Sequence, residues 1–201
     1  MKHIIGIVGT NSKRSTNRQL LQFIQHHFKD KAHIELLEID QFPLFNKPAS
    51  KKLPKIVEQA VNLIEGADGV IISAAEYNHA ITASLANALH WLSYYISPLK
   101  NKPVMITGAS YGKLGSSRAQ VQLRQILDSA DIKARVLPNS EFLLGNSLQA
   151  FDQEGKLVDP DRINALESIF EEFIKFIDYT QAFLNENQKS SLKISESSKE
   201  E

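Results

Sequence analysis

The stretch Gly9-Thr10-Asn11-Ser12-Lys13-Arg14-Ser15-Thr16-Asn17 crowds hydroxyls, amides and two cations into one short turn. It follows the apolar run Ile4–Val8 and precedes Leu20, Leu21, Ile24 and Phe28, which recur at helical spacing. The stretch is therefore a strand-to-helix turn, and Thr16 with Gln19 has the spacing of a capping box. A helix start carries unpaired N–H groups and a partial positive charge. With Thr10, Ser12, Ser15, Thr16 and Asn17 as further donors, the turn is suited to holding a phosphate. An ordinary, well-capped polar turn is the other reading of the same residues.

Two more stretches carry chemistry. Gly108-Ala109-Ser110-Tyr111-Gly112 matches G-x-S-x-G between a strand and a helix, where a nucleophilic serine would stand. That chemistry needs an acid and then a histidine downstream, and the last histidine is His90, upstream of Ser110. The glycines read better as letting backbone approach a flat ligand. In Ala75-Glu76-Tyr77-Asn78-His79, Tyr77 reads as a ligand-facing ring, whereas Trp91 reads as core or subunit contact rather than a stacking partner. Arg118 and Arg124 share a helix and fit a solvated face or a contact across a dimer equally well. Neither G-x-G-x-x-G nor G-x-x-x-x-G-K-[ST] occurs, so no dinucleotide or ATP loop is supported. The six histidines show no spacing with carboxylates that reads as a metal site. His26 and His27 read as solvated helix residues and His33 as the start of a strand. With no cysteine, disulfides, thiolate catalysis and cysteine-bound metals are excluded.

These turns need a scaffold. The 201 residues are 42% hydrophobic and 23% charged, which suits one globular domain with a sizeable core. Lys plus Arg and Asp plus Glu are 23 each, which leaves no basic excess for nucleic acid. No apolar run reaches the ~18 residues of a membrane span, and no secretory leader is evident, so a soluble cytoplasmic protein is expected. Strand and helix patterns alternate five times. The strands are expected near Ile4–Val8, His33–Ile39, Gly69–Ala74, Lys102–Thr107 and Lys133–Leu137. The helices are expected near Thr16–Phe28, Pro54–Glu65, Thr82–Tyr95, Ser116–Ala130 and from Asp161. Phe151–Leu157 reads as a small hairpin or turn. Residues 1–187 form one domain, and Gln188–Glu201 reads as a disordered tail. Such alternation predicts a three-layer α/β sandwich, a five-stranded parallel sheet with helices on both faces. Its flavodoxin-like order is 2-1-3-4-5, which places ligands beyond the carboxyl ends of the strands, where all three turns fall.

Together the three stretches resemble a known family. Gly9–Asn17 is similar to the G-[ST]-x-R-x-x-S-x-N phosphate loop of the NAD(P)H-dependent FMN reductases. Glu76-Tyr77-Asn78-His79 with Leu85-Ala86-Asn87-Ala88-Leu89-His90-Trp91 resembles their P-E-Y-N segment and the helix after it. Gly108–Gly112 with Gly115 and Arg118-Ala119-Gln120 resembles their G-[AG]-S-x-G-x-x-G-x-x-R-A-Q segment. The resemblance implies a flavodoxin-like protein that binds FMN, takes hydride from NADPH or NADH, and passes it to a flavin, quinone, azo compound or metal oxyanion. It also implies a homodimer or homotetramer. Carried over by position, Thr10, Ser12, Ser15, Thr16 and Asn17 would hold the FMN phosphate. Glu76, Tyr77 and Asn78 would line the ribityl chain and ring, and Ser110, Tyr111 and Gly112 would meet the pyrimidine side. Ser12 stands where the family often has Arg, Ala75 where it has Pro, Thr82-Ala83 where it has Pro-Gly, Ala86 where it has Lys and His90 where it has Asp. These departures keep a non-catalytic flavin-binding or partner-binding subunit open as a second reading.

Overall fold

A computed structural model describes the backbone of residues 1–197 and the side chains of residues 1–187. The apolar runs form the centre of its sheet. Every residue of β3 (Gly69–Ala74) and of β6 (Pro103–Ala109) is buried, as parallel strands covered on both faces require. β1 (Lys2–Gly9) is buried from Ile4 onward, and β2 (Ala32–Leu37), at the edge, is only partly covered. β1 pairs in parallel with β2 and β3, and β3 with β6.

The fifth position is split. β7 (Arg135–Val136) pairs with the start of β6 and β8 (Phe142–Leu144) with its end. Pro138, which has no N–H to donate, and Asn139, at φ 56°, interrupt the ladder between them. The observed order β2-β1-β3-β6-β7 is the expected 2-1-3-4-5, with β8 continuing the last position. The strand numbers shift because a hairpin stands outside the sheet, β4 (Glu76–Tyr77) with β5 (Ala80–Ile81). Its loop residues Asn78 and His79 have φ of 52° and 65°, the left-handed pair that a two-residue type I′ turn needs.

Helices cover both faces. α1 (Thr16–His27) and α5 (Pro160–Ser197) pack on Ile4, Val8, Ile71 and Met105. There Phe28 and Phe170 stack at 3.8 Å between centroids. α2 (Lys55–Gly66), α3 (Ala83–Leu92) and α4 (Ser117–Leu127) pack on Ile5, Ile7, Ile72 and Ile106. α3 and α4 end three residues earlier than the expected Tyr95 and Ala130. Pro54 precedes the first turn of α2 instead of opening it, and its carbonyl accepts from Val57 and Glu58. A bridge between Phe151 and Leu157 closes the expected small hairpin. The expected tail, Gln188–Glu201, lies outside the residues whose side chains are described. Among the described residues no helix is long and apolar enough to cross a membrane.

Candidate functional site

At the carboxyl ends of β1, β3 and β6, all three turns open into one cavity of about 340 Å³. Its walls are Ser12, Arg14, Ser15, Thr16 and Asn17 from the first turn and Ala75, Glu76 and Tyr77 from the second. Ala109, Ser110, Tyr111 and Gly112 of the third complete it. A second depression shares Arg14, Ser15, Thr16 and Tyr111 and adds Lys13 and Arg18.

The first turn is shaped from behind. Thr10 is buried; its N–H donates to the Val8 carbonyl at 2.8 Å, and its hydroxyl accepts from the Ser12 N–H at 3.1 Å. Thr10 thus builds the loop and is absent from the cavity wall. Arg18 Nη1 donates to the carbonyls of Ser12 and Lys13 at 2.7 and 3.2 Å. Its Nε and Nη2 reach the two Glu38 oxygens at 2.6 and 2.8 Å. The hydrogen bonds to Glu38 hold the guanidinium pKa above its ordinary value. The N-cap is Ser15, not Thr16, because the Ser15 hydroxyl accepts from the Arg18 N–H at 3.3 Å. Thr16 is instead buried, its hydroxyl 2.8 Å from that of Ser147. The first turn of α1 holds no acidic residue to offset its partial positive charge, and Ser15, Thr16 and Asn17 at this end line the cavity.

Asn17 ties the start of α1 to the ends of β3 and β6. Its Nδ2 donates to the Ala109 carbonyl, and its Oδ1 accepts from the Ser73 hydroxyl and the Ala109 N–H, each at 2.9 Å. Its amide is occupied within the protein, so Asn17 positions the site from inside. Thr82, read from sequence only as a helix start and a departure from the family pattern, does similar service. Its hydroxyl donates to the Gly9 carbonyl at 2.9 Å and accepts from the Leu85 N–H at 3.1 Å, capping α3. A serine or threonine just before a helical run was the signal for it.

Glu76 faces sideways. One carboxylate oxygen accepts from the N–H groups of Arg118 and Ala119 at 3.0 and 3.1 Å, and the other lies 3.8 Å from the Arg118 guanidinium. The residue before α4, Ser116, sits at φ 67° and provides no side-chain cap. Glu76 fills that role from another element. Tyr77 is 54% exposed at the cavity edge, while Asn78 serves the hairpin turn and does not line the cavity.

In the third turn Ser110 donates its hydroxyl to the Gly112 carbonyl at 3.1 Å. No histidine lines the cavity, so the serine has no base. Tyr111 is 60% exposed. A Cβ added to Gly112 would meet nothing within 4 Å, so this backbone borders open space. Gly115 is different. At φ 58° it runs against the backbone of Leu143 and Leu144, and a Cβ there would collide with them. Gln120 then closes the turn on β8 through the Phe142 carbonyl at 3.1 Å.

Trp91 is core, as expected, with its indole N–H donating to the Pro43 carbonyl at 2.7 Å. The two arginines of α4 part company. Arg124 turns to the Leu137 and Ser140 carbonyls at 3.0 and 2.6 Å, and Arg118 stays beside Glu76.

A family model described as NADPH-dependent FMN reductase matches residues 2–149. The chain is 50% identical to the NADH:(hydroxy)cinnamate reductase subunit CrdA of Vibrio ruber, over 90% of each chain. It is 41% identical to the NADH-dependent flavin reductase subunit 2 of Lactobacillus johnsonii, over 89% of this chain and 98% of that one. Its fold is similar to that of FerB, a flavoenzyme NAD(P)H:(acceptor) oxidoreductase of Paracoccus denitrificans. The TM-score is 0.81 at 24% identity, covering 90% of this chain and 99% of that one. With its three turns gathered at one sheet edge and its sequence matched over most of its length, the chain belongs to the NADPH-dependent FMN reductase family of oxidoreductases.

Proposed function

We propose that the cavity holds FMN and that the protein passes hydride from NADH or NADPH to a small acceptor such as a flavin, quinone, azo compound or metal oxyanion. One observation supports this most: a phosphate-type corner and a flat-ligand corner share one cavity. At one end stand Arg14, Ser15 and the start of α1, a donor set suited to a dianionic phosphate, while the Ser12 hydroxyl shapes that turn by donating to the Arg14 carbonyl at 3.0 Å. At the other stand Tyr77, Tyr111 and the open backbone at Gly112, which suit the edge and face of a planar ring. The residues fit the cofactor. When bound, it supplies hydride acceptance and donation, the chemistry that side chains lack.

The protein's part is binding and orientation. Arg14 and the N–H groups of Thr16 and Asn17 would neutralise the phosphate. Asn17 and Thr82 fix the separation of the corners. Ser110 holds its own turn through Gly112, so neither nucleophile nor general base is required of it. Tyr77 and Tyr111 border the exposed side, where nicotinamide and acceptor would take turns. The names of two relatives include the word subunit, which supports assembly with a second chain as part of the same reading.

The visible spectrum tests the proposal. Protein loaded with FMN and desalted should keep a flavin absorption that bleaches when NADH or NADPH is added without oxygen. Protein that stays colourless after loading would overturn it. Bound flavin that no nicotinamide reduces would favour the non-catalytic subunit.

A further inference from the structure

The opposite edge of the sheet carries a second cluster. His3 on β1 and His33 on β2 are direct partners in the parallel ladder. Glu35, two residues along β2, faces the same way because side chains alternate along a strand. One ligand atom from each of the three lies within 4.8 Å of the others. His3 Nε2 is 3.7 Å from Glu35 Oε2, and the two imidazoles stack with centroids 5.4 Å apart. Among the described residues no hydrogen bond or ion pair engages the His33 ring. The side chains of His3 and Glu35 are 32% and 44% exposed, so an ion can reach them.

We infer that His3, His33 and Glu35 form a binding site for one first-row divalent cation of the zinc type. Two imidazoles and a carboxylate are the ligand set such ions select over magnesium or calcium. Tetrahedral bonds of about 2.1 Å need ligand atoms about 3.4 Å apart, so the present spacing closes by side-chain rotation alone. The backbone ladder fixes the other geometry, since His3 and His33 are held at one rung. The site leaves open coordination positions for water. It is independent of the flavin cavity. Six residue steps along β1 separate His3 from Gly9, roughly 20 Å of strand. The ion would clasp the edge strand β2 to β1 and stabilise the native state by mass action.

Calorimetry with Zn²⁺ on the untagged, full-length, FMN-loaded protein tests this. One equivalent should bind in the micromolar range or tighter and raise the melting temperature. His33→Ala and His3→Gln should each weaken binding by about 100-fold or more while leaving metal-free melting and the flavin spectrum unchanged. The double variant His26→Ala/His27→Ala should bind as the parent does, although His27 lies 2.7 Å from Glu167. Three results would overturn the inference. They are no heat below millimolar Zn²⁺, equal binding by the parent and His33→Ala, and loss of binding only in the His26/His27 variant.

Discussion

Asn17 and Arg14 sit a few residues apart and do opposite work. Asn17 is buried and spends its amide on Ala109 and Ser73. Truncating it leaves the Ser73 hydroxyl and the Ala109 N–H without an acceptor in a dry interior. Asn17→Ala should therefore cost about 3 kcal/mol in urea unfolding of the FMN-free protein, and a loss below experimental scatter would contradict that role. Arg14 is exposed and lines the cavity, and among the described residues its only tie within the turn is through its backbone carbonyl, which accepts from the Ser12 hydroxyl at 3.0 Å. Arg14→Ala should leave unfolding unchanged and weaken FMN binding about tenfold, the worth of one charge-assisted contact. The weakening should shrink at high salt, where the parent's own advantage is screened. Equal FMN affinity of parent and variant at low salt would remove Arg14 from the phosphate site. Reading residue types along the chain could not separate these two. Both are polar groups in one turn, and only the fold shows that one points into the sheet and the other away from it.

At the level of elements, the third turn depends on parts that are remote in sequence. α4 begins after two consecutive left-handed residues, Gly115 and Ser116, and so lacks a local cap. Glu76 supplies the missing acceptor from the hairpin after β3. Glu76→Ala should cost about 1 kcal/mol in thermal unfolding, and Glu76→Gln, which keeps an acceptor, should recover most of it. If both variants melt alike, the carboxylate does not act as a cap. Gly115→Ala should cost about 2 kcal/mol or more, combining an unfavourable φ with a collision against Leu143; parent-like stability would show that β8 can move aside. The central strands were legible from sequence because burial on both faces demands unbroken apolar runs, as in Gly69–Ala74. The fifth position was legible only in its first half: the expected Lys133–Leu137 holds β7, but Pro138 and Asn139 break the ladder, and three-residue β8 beyond them is too short to show a period. The Ser15 cap was misplaced by one residue because Ser15 and Thr16 are equally good capping types. Tertiary burial of Thr16 against Ser147 decided between them.

Across the whole molecule, the layers that make the fold are distinct from the edge that makes the site. α5 covers one face together with α1. Phe170 and Phe173 are fully buried, and Phe170 stacks flat on Phe28 of the α1 end. The three polar turns take nothing from this helix: none of the cavity's lining residues belongs to α5. The register that gathers the turns belongs to β1, β3 and β6, whose ladders run independently of what covers them. Removing the Phe170 ring opens a large void in a dry core, which costs about 4 kcal/mol. Phe170→Ala should therefore unfold at lower urea yet, at temperatures where it remains native, bind FMN with the parent's affinity and be reduced by the same nicotinamide. Arg14→Ala should show the reverse pattern, full stability with weakened binding. If Phe170→Ala lost FMN affinity in proportion to its stability, the corners would be coupled to the helical cover, and the division between scaffold and site would be wrong. The division also explains why a family can change acceptors while keeping its fold, because the residues that meet a ligand are mounted on turns and the stability resides in the layers beneath them.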